Sequence, residues 1–483
     1  MKKNSVKKNY VYNLLYQILT IIIPLITTPY LSRVLGAENI GIYSFTISIT
    51  TYFILFGSLG VAMYGQREIA YVQNDIKKRS KIFFEIFLMR CITLGISLFI
   101  FYITFCSKGQ YNIYYKILIL EIIANAIDIS WYFQGLEEFK KTVIRNTIVK
   151  LISVICIFIF VKESTDLNKY FVIYVLSTFL GNLSLWMYLP KFIQRVKIKK
   201  LNLFRHIKPT IMLFIPQIAT QIYTVLDKTM IGAIISNKAE VGYYEQAQKI
   251  VKLLMTIATS LGTVMMPRIA ATFASGNHKK VKEYINKSFS FILLLAFPLM
   301  FGIISVSGSF VPIFYGKGYD KVVPLLCVIS PIIVLIGLSN VTGTQYLLPT
   351  KKQNQYTLSV VVGAIVNFIL NLILIKHFAS IGASIATVIA ELAVTTTQFI
   401  LIRKKIKFID VVKLSYKYLI ASLIMFMFSM IVGYFIKDSF LSIILQVIIS
   451  CFAYFIALYI LNDNLMMEIV NEVKNRLRKG ELK

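Results

Sequence analysis

The chain has 483 residues, 57% of them hydrophobic, with a mean hydropathy of +0.71 and a formal net charge of +30. Such an apolar excess excludes a soluble domain, and continuous rather than alternating apolar runs exclude a membrane β-barrel. A charge of +30 in a soluble protein would suggest nucleic acid, but here the basic residues lie in loops between apolar runs, so they read as cytoplasm-facing loops and no nucleic-acid partner is expected.

Residues 1–9 are basic and precede a long apolar run without a small-residue cleavage pattern, so they read as the flank of a retained first span. Fourteen spans follow, at approximately 10–32, 41–64, 82–106, 112–135, 143–161, 168–190, 207–235, 241–267, 288–310, 322–347, 355–377, 380–402, 415–436 and 440–461, an all-α polytopic membrane architecture. The loops orient them. Lys2, Lys3, Lys7 and Lys8 precede span one, Lys77, Lys78, Arg79 and Lys81 follow span two, and Lys140 and Lys141 follow span four. The series continues with Lys191 to Lys208, Arg268 to Lys287, Lys351 and Lys352, Arg403 to Lys417, and a basic tail. The opposite loops hold one or two basic residues each, such as Arg33, Lys108, Lys238 and Lys437. The alternation runs through all the spans, which places both termini in the cytoplasm and the chain in the cell membrane.

Every connection is short. That disfavours membrane glycosyltransferases and polymerases built on a large external catalytic loop, and the loop at 33–40 lacks the paired acids a metal-dependent transferase needs. Cys91, Cys106, Cys156, Cys327 and Cys451 are scattered, with no metal or disulfide spacing. Transport without cofactor or metal is the expectation, and not enzymatic turnover. A weak internal repeat agrees. Pro24 leads to Gly41-Ile42-Tyr43, and Pro216 leads to Gly242-Tyr243-Tyr244, each at the start of a six-span block of the same orientation. The expected division is a lobe at 1–200, a second at 201–405, an appended pair of spans at 406–465 and a tail at 466–483.

Polar residues inside spans are the functional candidates, because a charge near the bilayer core costs roughly 3 kcal/mol on insertion scales. Cations within or bordering spans are Arg90, Lys150, Lys228, Lys249 and Lys252. Helical spacing sets Asn13, Gln17, Thr20 and Thr27 on one face of span one, and Glu121, Asn125, Asp128 and Tyr132 on one face of span four. Span seven carries Gln217, Gln221, Thr224 and Lys228, with Asp227 alongside; span eight carries Glu245, Lys249, Lys252, Thr256, Thr259 and Thr263; span eleven carries Asn367 and Asn371. A hydrated cavity would satisfy these stripes, whereas snorkelling, local pairing and helix–helix hydrogen bonds are the structural alternatives. Arg67 and Glu68 read as a structural pair, and His206, His278 and His377 receive no role.

Seven stretches resemble a known family. They are Y-L-S-R-V-L-G at 30–36 with G-I-Y-S-F at 41–45, G-Q-R-E-I-A at 65–70, I-S-W-Y-F-Q-G-L-E at 129–137, and L-D-K-T-M-I-G at 226–232. V-G-Y-Y-E-Q-A at 241–247, L-L-P-T-K-K at 347–352 and G-A-S-I-A-T at 382–387 complete the series. In this order they resemble the Wzx-type polysaccharide repeat-unit flippases of the multidrug/oligosaccharidyl-lipid/polysaccharide exporter superfamily. The resemblance implies two pseudo-symmetric six-helix lobes in a V around a cavity. It implies transfer of an undecaprenyl-diphosphate-linked oligosaccharide to the outer leaflet by alternating access, for capsule, O-antigen or similar polysaccharides. A polymerase of the same pathway is an implied partner, and H+ or Na+ an implied coupling ion.

On that reading the diphosphate needs fixed cations and the sugars need amide and hydroxyl partners. Arg90 and Lys150, near the cytoplasmic end, suit first docking. The span-eight stripe, on the external half, suits an exit wall. Lys228, Gln17, Gln217, Gln221 and Asn125 complete the candidate binding set, and Asp128, Glu121, Glu245 and Glu391 are the candidate coupling carboxylates. The nearest rival is a multidrug/cation antiporter of the same superfamily, which should present acids and aromatics rather than cations; a membrane glycosyltransferase or polymerase stands further off.

Overall fold

The computed structural model describes residues 3–197, 201–406, 408–436, 440–468, 470 and 471; the side chains of 3–18, 139, 215–217, 219, 220, 222, 223 and 263 fall outside that description. All regular structure among the described residues is helical. Helices satisfy their own backbone groups, which a chain in lipid requires. Contacts divide the chain into two compact units, Met1–Gly242 and Tyr243–Lys483.

The first unit runs through α1 (Lys3–Ser58), α2 (Val61–Tyr71), α3 (Ile76–Phe101), α4 (Asn112–Ala126), α5 (Ser130–Gly135), α6 (Phe139–Phe160), α7 (Leu167–Ser184) and α8 (Ile207–Ile234). The long α1 breaks at Gly36, whose φ of 76° and ψ of 169° are non-helical and suit only glycine well. That break separates the spans expected at 10–32 and 41–64. The span expected at 112–135 is divided instead into α4 and α5. Its cause is local: the Asp128 carboxylate accepts the Ser130 N–H at 2.9 Å and the Ser130 hydroxyl at 3.0 Å. Asp side chains compete with the helix ladder in this way. Asp128 and Tyr132 thereby leave the helical phase that would have set them in line with Glu121 and Asn125.

Two of the family-like stretches interlock in this unit. A Cβ on Gly65 would overlap the Trp131 ring, and one on Gly135 would stand 2.7 Å from the Gln66 carbonyl oxygen. Trp131 is fully buried and stacks on Phe83 at 5.7 Å. The motifs thus hold α2 to α5. Helix α8 also packs here, with the Thr229 hydroxyl donating to Ser48 Oγ at 2.9 Å and Gly232 lying against the Phe45 ring. The contact division therefore falls after Gly242, past the 200/201 boundary drawn from the repeat.

The second unit is built from α9 (Ala239–Ala274), α10 (His278–Tyr315), α11 (Val322–Ile329), α12 (Ile332–Ser339), α13 (Gln353–Ile402), α14 (Phe408–Phe435) and α15 (Phe440–Ile460). The counterpart of the Gly36 break is at Ala379 in α13, with φ 48° and ψ −126°, between the spans expected at 355–377 and 380–402. An L-residue there is strained. Among the described residues ten helical segments are long and apolar enough to cross a membrane. Two of them contain the breaks at Gly36 and Ala379, while the expected spans at 112–135 and 207–235 lie on α4–α5 and α8. Large apolar side chains such as Phe99, Ile155, Met427 and Phe452 are exposed along the helices, as a lipid-facing surface demands.

Candidate functional site

In the first unit, the polar positions inside helices are mostly engaged with the scaffold. Arg90 is 4% exposed and donates from Nη1 to the Asp128 carbonyl at 3.2 Å, so it ties α3 to the α4–α5 break. Its Nε is buried without a partner. Asp128 lies one residue before the α5 N-cap Ile129, and its carboxylate is engaged by the Ser130 N–H and hydroxyl. Asn125 donates to the Glu121 carbonyl at 2.9 Å, and the buried Glu121 carboxyl lies beside Tyr174 and Thr178 of α7. Lys150 is half-buried on α6 and Lys228 half-buried on α8, next to a buried Asp227. Gln221 is exposed. The side chains of Gln17 and Gln217 lie outside the described residues.

In the second unit, the stripe expected on span eight is partly self-neutralised. Glu245 and Lys249 pair across one helical turn at 3.6 Å, with Lys252 exposed a turn further on. The Thr256 and Thr259 hydroxyls bond their own helix backbone at 2.8 and 2.9 Å. Asn371 donates to Asn367 at 3.0 Å, both fully buried in α13, and Glu391 is buried further along the same helix. Residues passed over in the sequence reading fill the gaps. Gln398 accepts from Thr342 and donates to Ser359 at 3.0 Å, and Gln248 donates to the Tyr244 hydroxyl, which bonds Thr387 at 3.2 Å. Thr342 sits in a π-helical turn at Asn340–Leu347, a geometry that opens side-chain room and leaves no hydropathy signal.

The most complete polar cluster surrounds a histidine that the sequence left without a role. His206 is 2% exposed; the Tyr64 hydroxyl lies 2.7 Å from Nδ1 and Nε2 meets Glu85 at 3.0 Å. Glu85, fully buried, also accepts the Asn202 N–H at 2.8 Å and an Arg205 guanidinium N–H. Burial holds the His206 imidazole below its ordinary range, even though Glu85 pulls the other way. Nε2 also stands 3.2 Å from Arg205 Nε, so the ring is held by Tyr64 on one side and by Glu85 and Arg205 on the other. The signal was Glu85 itself, a carboxylate in an apolar run that needs a partner; the partner's position is not encoded locally. Lys238 is a second such case. Its ammonium donates to the Gly232 and Ile235 carbonyls at 2.5 and 3.0 Å, closing the end of α8, and burial pushes it below its ordinary range.

Among the described residues no group of three or more His, Cys, Asp or Glu side chains is placed to hold a metal ion. What the half-buried cations and amides can do is bind an anion and hydroxyl-rich groups. A family profile described as "Polysaccharide biosynthesis protein" matches residues 6–273, more than half of the chain. The chain belongs to that family. The profile "Lipid II flippase MurJ" matches residues 146–453, so the family match also reaches through the second unit. An Escherichia coli (strain K12) protein named for a proposed role in O-antigen transport is 26% identical over 406 residues, 83% of this chain and 97% of that relative. Lipid II flippase MurJ of Bacillus subtilis (strain 168) is 31% identical over 196 residues, 39% of this chain and 34% of the relative. The fold agrees: a solved structure of lipid II flippase MurJ, in an inward closed conformation, superposes with a TM-score of 0.77 at 17% identity, covering 95% of this chain and 100% of that one. An inward-facing MATE multidrug transporter superposes at 0.56, covering 82% and 98%. The exporter family anticipated from the seven stretches is the one found.

Proposed function

We infer that this family member flips undecaprenyl-diphosphate-linked oligosaccharide from the cytoplasmic to the outer leaflet of the cell membrane, for polysaccharide biosynthesis. The observation that carries the reading is the near full-length match to the relative named for O-antigen transport, joined to a flippase fold over 95% of the chain. The chain acts as a transporter that makes and breaks no covalent bond in its cargo, working by alternating access. Fourteen crossings with both termini in the cytoplasm, in lobes at 1–200 and 201–405 with an appended pair at 406–465 and a tail at 466–483, complete the proposal. Within it Lys150, Lys228, Lys249 and Lys252 contact the diphosphate, with Arg90 supporting, while Gln17, Gln217, Gln221 and Asn125 meet the sugars. Glu121 and Glu391, buried in helices, lead Glu245 and Asp128 as carboxylates for H+ or Na+ coupling.

The test is a deletion strain. Lipid-linked repeat units should accumulate on the cytoplasmic leaflet, and Lys228→Ala with Lys252→Ala should abolish export at normal membrane abundance. Normal externalisation in the deletion strain rejects the flippase. Export unchanged in the double variant rejects those two contacts. Drug sensitivity of the deletion strain, with polysaccharide intact, would favour the multidrug antiporter.

A further inference from the structure

One hollow in the second unit lies apart from every residue assigned above. It has a volume of 200 Å³, room for about six waters, and three remote segments of the chain line it: the end of α9 with the start of α10, the turn before α13 and the turn after it. Its floor is apolar and buried, formed by Val281, Ile285 and Ile406. Lys282, Lys352 and Lys405 line it, and no lining residue is acidic.

Charge-sided topology requires basic residues in these three loops, but it does not require them to converge. Two neighbouring cations in the same unit are matched: Lys287 pairs with Glu283 at 3.7 Å, and Arg268 lies over the Tyr284 ring at 4.7 Å. Among the described residues neither Lys282 nor Lys405 has a carboxylate in ion-pair range, and Lys352 has only the Tyr346 ring, at 5.5 Å. Three like charges over a low-dielectric floor repel one another more than they would in water. An anion in the hollow removes that penalty. Tyr346 and His278 add hydrogen-bonding groups at its wall.

We propose that this hollow is a binding site for a lipid-borne phosphate at the end of the second unit where these three basic loops meet. The chemistry is shared by two sources, the headgroup of an anionic phospholipid and the diphosphate of a polyprenyl carrier. The choice of the second probe alone rests on the flippase reading.

The experiment uses the purified full-length protein in a neutral detergent. Binding of phosphatidylglycerol, undecaprenyl diphosphate and phosphatidylcholine is measured for the wild type, for Lys282→Gln/Lys352→Gln/Lys405→Gln, and for the matching triple Arg variant. A charge beside an anionic group is worth roughly fivefold, so the Gln variant should bind the relevant phosphate roughly a hundredfold more weakly. The Arg variant should retain binding. Loss confined to phosphatidylglycerol supports the phospholipid source; loss confined to undecaprenyl diphosphate supports the carrier; loss of both supports a site open to either. Unchanged binding of both, or an equal loss for phosphatidylcholine, overturns the proposal. Should the triple Gln variant not stay monodisperse, the single exposed-site change Lys282→Gln decides, with roughly a fivefold loss expected and no loss refuting.

Discussion

Replacing Glu85 with alanine should unseat the segment that runs from Asn202 into α8. Glu85 is fully buried and takes hydrogen bonds from the Asn202 N–H, from His206 and from Arg205. The Arg205 side chain is 44% exposed, so it returns to water at little cost. The His206 ring stays buried without its acceptor, costing about 1–3 kcal/mol, whereas exposed Asn202 can turn its N–H to water at less cost. At about 2–4 °C per kcal/mol for a unit of this size, that cost should lower the melting temperature by at least roughly 2 °C. Arg205→Gln, which leaves the buried His206 ring paired with Glu85, should cost less than half as much. Thermal unfolding in detergent measures both. Equal shifts for the two variants would refute the reasoning, because they would show that the solvent-facing ion pair, and not the buried acceptor, holds the segment. The cluster also sets a pH dependence. The folded His206 pKa lies below the unfolded value near 6.5, so between them the unfolded chain binds a proton that the native ring refuses. Stability from this group is therefore complete above about pH 6.5 and falls on acidification through the folded pKa. His206→Gln should flatten that slope.

Gly41→Ala should prevent normal folding, since its Cβ would overlap the Lys238 backbone carbonyl, whereas Gly308→Ala meets nothing within 4 Å and should be neutral or gain up to about 1 kcal/mol; size-exclusion profiles separate the two. Ala379→Gly should raise the melting temperature, because glycine relieves a positive φ of 48° worth about 1–3 kcal/mol, and a lowered value would disprove strain at that break. Asp128→Asn keeps the bond from the Ser130 N–H and should leave stability nearly unchanged, while Asp128→Ala should cost about 1 kcal/mol; unchanged export in the Asn variant would remove Asp128 from the coupling candidates.

What the sequence disclosed is what is locally encoded. Each apolar run lies on helix, because hydropathy over some twenty residues is a property of the run itself. The break at Gly36 is legible from a glycine between two spans, but Ala379 is not, since an alanine there is held by its surroundings against its preference. Charged residues in spans were recognised as requiring a reason. Their reasons were not readable, because a partner such as Asp128 for Arg90 lies 38 residues away; Glu85, which was not singled out, likewise meets His206 121 residues on. The π-turn that brings Thr342 to Gln398 left no trace in periodicity. Apolar patterning reports the solvent, and polar partnerships report the tertiary fold.

The seating of Gly65 on Trp131 and of Gly135 on Ile69 makes these stretches a matched set. A side chain added at one position needs a smaller neighbour at the other, so single changes fail where paired changes succeed. A gene assembled by recombination with its crossover between codons 70 and 129 would join halves that have never been fitted to each other. Exchange between relatives should therefore tolerate junctions downstream of codon 137 better than junctions inside that interval. The downstream helices can then pass between lineages while the lock that lets the chain fold is inherited intact.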